Sequence, residues 1–175
     1  MTDLTPEDRA FFERFKSWKH RPKVYTPSAD DDPTPQQVYD ELMKGAFAPA
    51  LRAAGLKGSG GRFELPSEKY WSLLGFQKSA FSDSASLKFT VNLSVIGRVQ
   101  WSEQAAAKPH LGTKPKPSTF YGSWAKQIRI GRLTQSGEDL WWWLKRGETS
   151  EPLAAEVISV LVHLAVPWLV SESST

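Results

Sequence analysis

The stretch "SLKFTVNLSVIG", residues 86–97, decides the fold. Leu87, Phe89, Val91, Leu93 and Val95 alternate with Lys88, Thr90, Asn92 and Ser94. Successive side chains of a strand point to opposite faces, so this strand is apolar on one side and polar on the other. That pattern belongs to an antiparallel sheet covered on one face and wet on the other. The preceding "YWSLLGFQKS", residues 70–79, is joined to it by the polar turn "AFSDSA", residues 80–85, and reads as its hairpin partner.

Working outward, "GLKGSGGRFEL" at residues 55–65 spaces Gly55 and Gly60 as a phosphate loop would. However, Gly61 and Arg62 stand where Lys and Ser or Thr are needed, and the loop follows a helix and enters a strand. That order is the reverse of the one that aims a helix N-terminus at phosphate, so the stretch reads as a turn with a strand beginning over residues 62–65. Upstream, Thr34 as cap, Pro35 in the first turn and Gln37 in the capping-box position start a helix running to about residue 54. Val38, Leu42, Phe47, Leu51 and Ala54 form its buried side, Pro49 predicts a kink and Gly55 a stop. Earlier still, "TPEDRAFFERFKSWK" predicts a helix over residues 6–19 with Phe11, Phe12, Phe15 and Trp18 on one face. The Pro- and Asp-rich stretch after it reads as a linker, and Asp30, Asp31 and Asp32 as hydrated carboxylates rather than a metal site.

Downstream, residues 98–107 predict a short helix. "KPHLGTKPKPSTFYG", residues 108–122, predicts a long irregular surface loop because of its prolines and glycines. "WAKQIRIGRLT" reads as the next strand, "QSGED" as a turn and "LWWWLKRG" as its hairpin partner. Within that last strand Trp141 and Trp143 share one face while Trp142 shares the other with Leu140 and Leu144, so the three indoles do not form one platform. The chain closes with a helix from about Pro152, broken near Pro167, on which His163 faces solvent. The expected architecture is therefore α+β: an antiparallel meander of about five strands, one face packed by an N-terminal and a C-terminal helix, with a further helix on a linker. The division expected is residues 1–35 for that helix and linker and 36–175 for the α+β domain.

Composition narrows the function classes. The 175 residues are 40% hydrophobic and 12% aromatic, with eight tryptophans and no cysteine, which removes thiol chemistry, Cys-ligated zinc and disulfides. The polar, acidic N-terminus predicts no signal peptide. The apolar run over residues 157–170, interrupted by Ser159, His163 and Pro167, is read as too short to span a bilayer. A cytoplasmic protein without membrane attachment is expected. The net charge of +3 is unevenly spread: residues 98–147 carry nine Lys or Arg against three acids, and the last 28 residues carry four unopposed glutamates. A basic zone of this kind suits an anionic partner.

Catalysis asks for a nucleophile with a base, two distinct carboxylates or a metal cluster. His20, His110 and His163 are scattered, and no H-E-x-x-H, G-x-S-x-G or metal-ligand spacing occurs. No catalytic residue, metal or cofactor is assigned. The residues expected to contact a ligand or partner are Gln77, Lys78, Lys88, Asn92, Arg129, Arg132, Trp142, Lys145 and Arg146. The preferred reading is a non-catalytic protein-interaction module that docks an acidic protein partner through an exposed sheet face and the basic loop. By analogy alone this includes toxin neutralisation of the immunity-protein kind. The alternatives are a single-strand nucleic-acid binder, for which an open sheet with aromatics and cations is suited, and an enzyme whose site leaves no motif.

"FQKS" at residues 76–79, the alternating "FTVNL" at 89–93, "RIG" at 129–131, Asp139 and the paired Trp141 and Trp142 follow one another in an order that resembles the bacterial family known as domain of unknown function forty-three-oh-four, DUF4304. The likeness runs from about residue 36 to 169. It implies a small α+β domain with no established activity, and supplies no catalytic residue to transfer.

Overall fold

A computed structural model describes residues 32–174. The helix expected over residues 6–19 and most of the linker lie outside the described residues. Helix α1 (Pro35–Leu42) begins as its sequence requires: the Thr34 hydroxyl accepts from the Gln37 N–H, and the Gln37 side chain returns to the Thr34 N–H. It then passes through a π turn (Met43–Phe47) into α2 (Ala48–Ala53). Pro49 has no N–H to give to the turn before it, and the wider π turn, closed by the Ala48 N–H on the Met43 carbonyl, absorbs that loss. The C-terminal helix uses the same device. Helix α4 (Glu151–Val160) runs through a π turn (Leu161–Ala165) into α5 (Val166–Glu172), with Pro167 placed after that turn as Pro49 is placed after the first. The break expected at Pro167 is therefore a continuous 22-residue helix. By length and composition that helix could cross a membrane, so shortness does not exclude it. Here Val157, Val160, Leu161, Ala165 and Leu169 are buried in the core.

Among the described residues six antiparallel strands form the sheet: β1 (Lys57–Ser59), β2 (Arg62–Leu65), β3 (Tyr70–Lys78), β4 (Ser86–Gly97), β5 (Lys126–Arg129) and β6 (Trp142–Lys145). The glycine-rich stretch read as a plain turn also contains β1, joined to β2 across Gly60 and Gly61, both at positive φ. That two-residue, left-handed geometry is the hairpin turn glycine favours. The long β3–β4 pairing, from Tyr70 opposite Gly97 to Lys78 opposite Phe89, is the hairpin expected.

Beyond β4 the meander ends. β5 and β6 do not pair with each other as a hairpin. Both lie along the same edge of β4, β5 opposite Asn92–Val95 and β6 opposite Ser86–Phe89. Residues 130–141 are looped out opposite only Thr90 and Val91. The loop opens with a 3-10 turn (Ile130–Leu133) where the strand was expected to continue. Gly131 allows this: a Cβ there would fall 2.1 Å from the Glu138 carbonyl oxygen and 2.6 Å from the Leu140 nitrogen. The looped segment thus folds back on itself over a glycine.

The apolar face of β4 meets the two long helices. Phe89 lies 5.5 Å from Trp142, 5.2 Å edge-on from Tyr39 and 6.2 Å from Phe47, all buried. Burying each such ring contributes about 1.5–3 kcal/mol, which makes this cluster the main source of stability. The opposite face, expected to be wet, is covered over half its length. Helix α3 (Arg98–Ala107) and the loop after it bring Trp101, Tyr121 and Trp124 onto Ile96 and Trp71 as a second, smaller core. The Pro- and Lys-rich loop is not a free basic surface. Pro115 and Pro117 are buried, Lys114 bridges to Glu64 at 2.5 Å, and the Ser94 hydroxyl donates to the Pro117 carbonyl. Gly75 admits this lid, because a Cβ there would lie 2.4 Å from the Pro117 ring. Gly75→Ala therefore lifts the loop and costs about 1–3 kcal/mol. A lower urea midpoint together with new proteolytic cleavage within residues 108–121 is the expected result.

Candidate functional site

The half of the second face that the other described residues leave uncovered lies around Lys88. Across β4 the register sets Lys88 beside Trp143 and Asn92 between Gly75 and Arg129. Side chains directly opposite in an antiparallel pair share a face, so Gln77, Lys88, Asn92, Arg129, Trp143 and Lys145 all project on this side.

A polar chain crosses the strands. Asn92 Nδ2 donates to Gln77 Oε1 at 2.7 Å, and Arg129 Nε donates to Asn92 Oδ1 at 3.4 Å. Arg129 Nη1 donates to both oxygens of Asp139 at 3.0 and 2.9 Å, and Trp141 Nε1 donates to Asp139 at 2.8 Å. The Lys88 ammonium sits 4.8 Å from the centre of the Trp141 ring and 5.1 Å from that of Trp143, while the Arg129 guanidinium lies 5.1 Å from Trp141. Two cations therefore flank one indole. Among the described residues Lys88 makes no hydrogen bond or ion pair with a carboxylate.

Beneath this surface Thr90 is fully buried. Its hydroxyl donates to the Leu140 carbonyl at 2.6 Å and so ties the looped-out segment 130–141 to β4. Trp141, next along the chain, is thereby set over Lys88. Burial pushes the Asp139 carboxyl up, but the hydrogen bonds from Trp141 and Arg129, with the charges of Arg129 and Lys88, outweigh it and hold that carboxyl below the ordinary value.

The expected contact residues separate on inspection. Gln77, Lys88, Asn92 and Arg129 do meet. Trp142 does not belong with them: it is fully buried against Phe89, and its Nε1 donates to Glu156 Oε1 at 3.1 Å, so the indoles on this face are its half-buried neighbours Trp141 and Trp143. Strand alternation had separated these two sets, and burial shows which one is core. Lys78 also lies elsewhere. Paired with Phe89 at the rim of the apolar face, it donates to Gln36 Oε1 and lies over Tyr39. Arg132 is exposed on the 3-10 turn and donates to the Gly137 carbonyl at 3.3 Å. Lys145 shares the face of Lys88 and pairs with Glu148 at 3.2 Å. Arg146 Nε donates to the Asp32 carbonyl at 3.0 Å and anchors the chain where it enters the domain. Thr90, Asp139 and Trp141 were missing from the expected set. For Asp139 the available signal was an acidic residue ten positions beyond Arg129 and two before an indole. Among the described residues no group of three His, Asp or Glu could hold a metal.

The surface and the tie beneath it separate by mutation. Thr90→Val leaves the buried Leu140 carbonyl without its donor and costs about 1–3 kcal/mol. Lys88→Ala removes two half-exposed ring contacts and costs about 1 kcal/mol or less. Urea unfolding of both variants checks the contrast. Acid unfolding reports on Asp139: its carboxyl is depressed in the fold, so its contribution to stability is complete above the unfolded value of about 4 and disappears as pH falls through the folded value. The stability difference between wild type and Asp139→Asn therefore narrows below about pH 4.

No curated protein and no solved structure matches the chain significantly. Residues 47–171, which include the six described strands, the end of the N-terminal helix and nearly all of the C-terminal one, match the family described as Domain of unknown function (DUF4304). With the match covering well over half its length, the chain belongs to the DUF4304 family.

Proposed function

We propose that this domain is a non-catalytic protein-interaction module that takes an acidic segment of a partner onto the open half of its second sheet face. The observation carrying this reading is Lys88: its ammonium is held between the rings of Trp141 and Trp143, half-exposed, with no carboxylate bonded to it among the described residues. An ammonium placed against aromatic faces is partly desolvated, and a carboxylate brought to it gains more than it would at a freely hydrated lysine. Lys145 and Arg129 add positive charge to the same face. Asn92 and Gln77 offer neutral polar groups of the kind that fix the register of a docked backbone.

The nucleic-acid reading is weaker because of the same rings. Binding of single strands uses open indole faces on which bases stack. Here the Trp141 ring already lies against Lys88 and Arg129, and a base would have to displace those cations. The basic loop, the other source of positive charge, has its Lys114 committed to Glu64 and Trp71.

The indole N–H signals of the eight tryptophans separate these readings in one NMR titration. Oligoglutamate peptide is expected to shift the Trp141 and Trp143 signals and leave Trp101 and Trp142 in place, with the response weakened by salt and abolished in Lys88→Ala. Movement of Trp141 and Trp143 by oligothymidylate but not by oligoglutamate would assign the face to nucleic acid instead.

A further inference from the structure

Arg129 is held by two kinds of partner. Its neutral partner on the sheet is Asn92 on β4, itself fixed by Gln77 on β3, while the ring of Trp141 lies against it from the last residue before β6. Its charged partner lies off the sheet. Asp139 belongs to the looped-out segment 130–141, its side chain is 52% exposed, and it follows Gly137 at φ 62. Asn92 thus aims the guanidinium from the sheet whether or not the carboxylate is there. Asp139 meanwhile engages Arg129 with both oxygens and takes the Trp141 N–H as well, satisfying three donor contacts at once. Arg129 and Lys88 lie against the same indole, yet among the described residues only this one carboxylate hydrogen-bonds within the group. A built position for a carboxylate therefore exists on this face, and the chain fills it with its own side chain.

We infer that Asp139 is an internal substitute for a carboxylate of the acidic partner, displaced from Arg129 when that partner docks. This rests on the interaction reading above and adds the regulation of that site. The partner's carboxylate exchanges for Asp139 on Arg129 and Trp141, the released Asp139 turns to solvent on its loop, and Lys88 takes a second acidic group beside the first. The internal carboxylate competes with the ligand, so only segments carrying closely spaced acidic groups overcome it. Apparent affinity falls in proportion to the fraction of time Asp139 occupies the position.

The test compares wild type, Asp139→Ala and Glu148→Ala with oligoglutamate as the probe. Glu148→Ala removes a negative charge near Lys145 without touching Arg129. Asp139→Ala is expected to bind about two- to fivefold more tightly than Glu148→Ala, the competition a half-exposed ion pair can exert. In wild type, the Trp141 indole N–H is expected to move on binding as it loses Asp139, while Trp101 and Trp142 stay fixed and so report an intact fold. Equal affinity of Asp139→Ala and Glu148→Ala overturns the displacement while leaving the docking reading intact. Absence of binding to wild type and to both variants overturns the two together. Asp139→Asn, which keeps an acceptor for Trp141 but loses the charge, is expected to fall between wild type and Asp139→Ala; an affinity below wild type also overturns the displacement.

Discussion

The buried hydrogen bond from the Thr90 hydroxyl to the Leu140 carbonyl is the contact on which the arrangement of the open face depends. The edge of β4 is longer than either of its partners there, and β5 and β6 leave a gap between them opposite Thr90 and Val91. Backbone groups at such a gap need partners, because an unpaired polar group away from water costs about 1–3 kcal/mol. Thr90 supplies one from its side chain. The segment between β5 and β6 is thereby drawn down onto β4 at one point, and everything outside that point stands out over the sheet. Asp139 and Trp141 owe their positions to this tie.

The two faces of β4 divide the work unequally. One is a continuous core of Phe89, Val91, Leu93 and Val95 beneath both long helices. The other is split across its middle. Toward Gly97 it is a second small core roofed by Trp101, Tyr121 and Trp124, with Arg98 at 3.6 Å and Lys114 at 5.0 Å from the Trp71 ring and both bonded to Glu64. Toward Ser86 it carries cations and indoles again, but without such a roof among the described residues. The comparison is instructive because the same residue types are used in both halves. In the roofed half one carboxylate neutralises two cations over one indole, and the cluster fastens a loop. In the open half no carboxylate among the described residues is bonded to Lys88, and Asp139 serves Arg129 from a loop. Similar chemistry closes one half of the face and leaves the other half part-exposed among the described residues.

The sheet was legible because its signals are local. Alternation along β4, the hairpin length of residues 80–85 and the capping box at Thr34 and Gln37 each depend on neighbours in sequence, and each held. Strand parity also separated Trp142 from Trp141 and Trp143, but it does not say which side a protein covers, and so the buried indole was taken for a contact residue. The pairing of β6 was misread because "QSGED" between two apolar stretches has the composition of a hairpin turn, whereas the partner of each strand is set by β4 and by the space around Gly131. The lid over the second face was equally hidden. Its decisive fit, Pro117 against Gly75, joins residues far apart in the chain and has no periodic signature. Lys78 shows the same limit at smaller scale: its place next to Gln77 suggested a shared surface, and the two-residue period of the strand sent it to the other one.

The central claim is that the three consecutive tryptophans are divided by the sheet, with Trp142 in the core and Trp141 on a face open to solvent. Hydroxyl-radical footprinting resolved to single residues tests it directly. Oxidation of the half-buried Trp141 in the native protein, with Trp142 and Trp101 protected until the protein unfolds, is the predicted result. Equal protection of Trp141 and Trp142 in the native protein would contradict the claim and remove the open face on which the proposed docking depends.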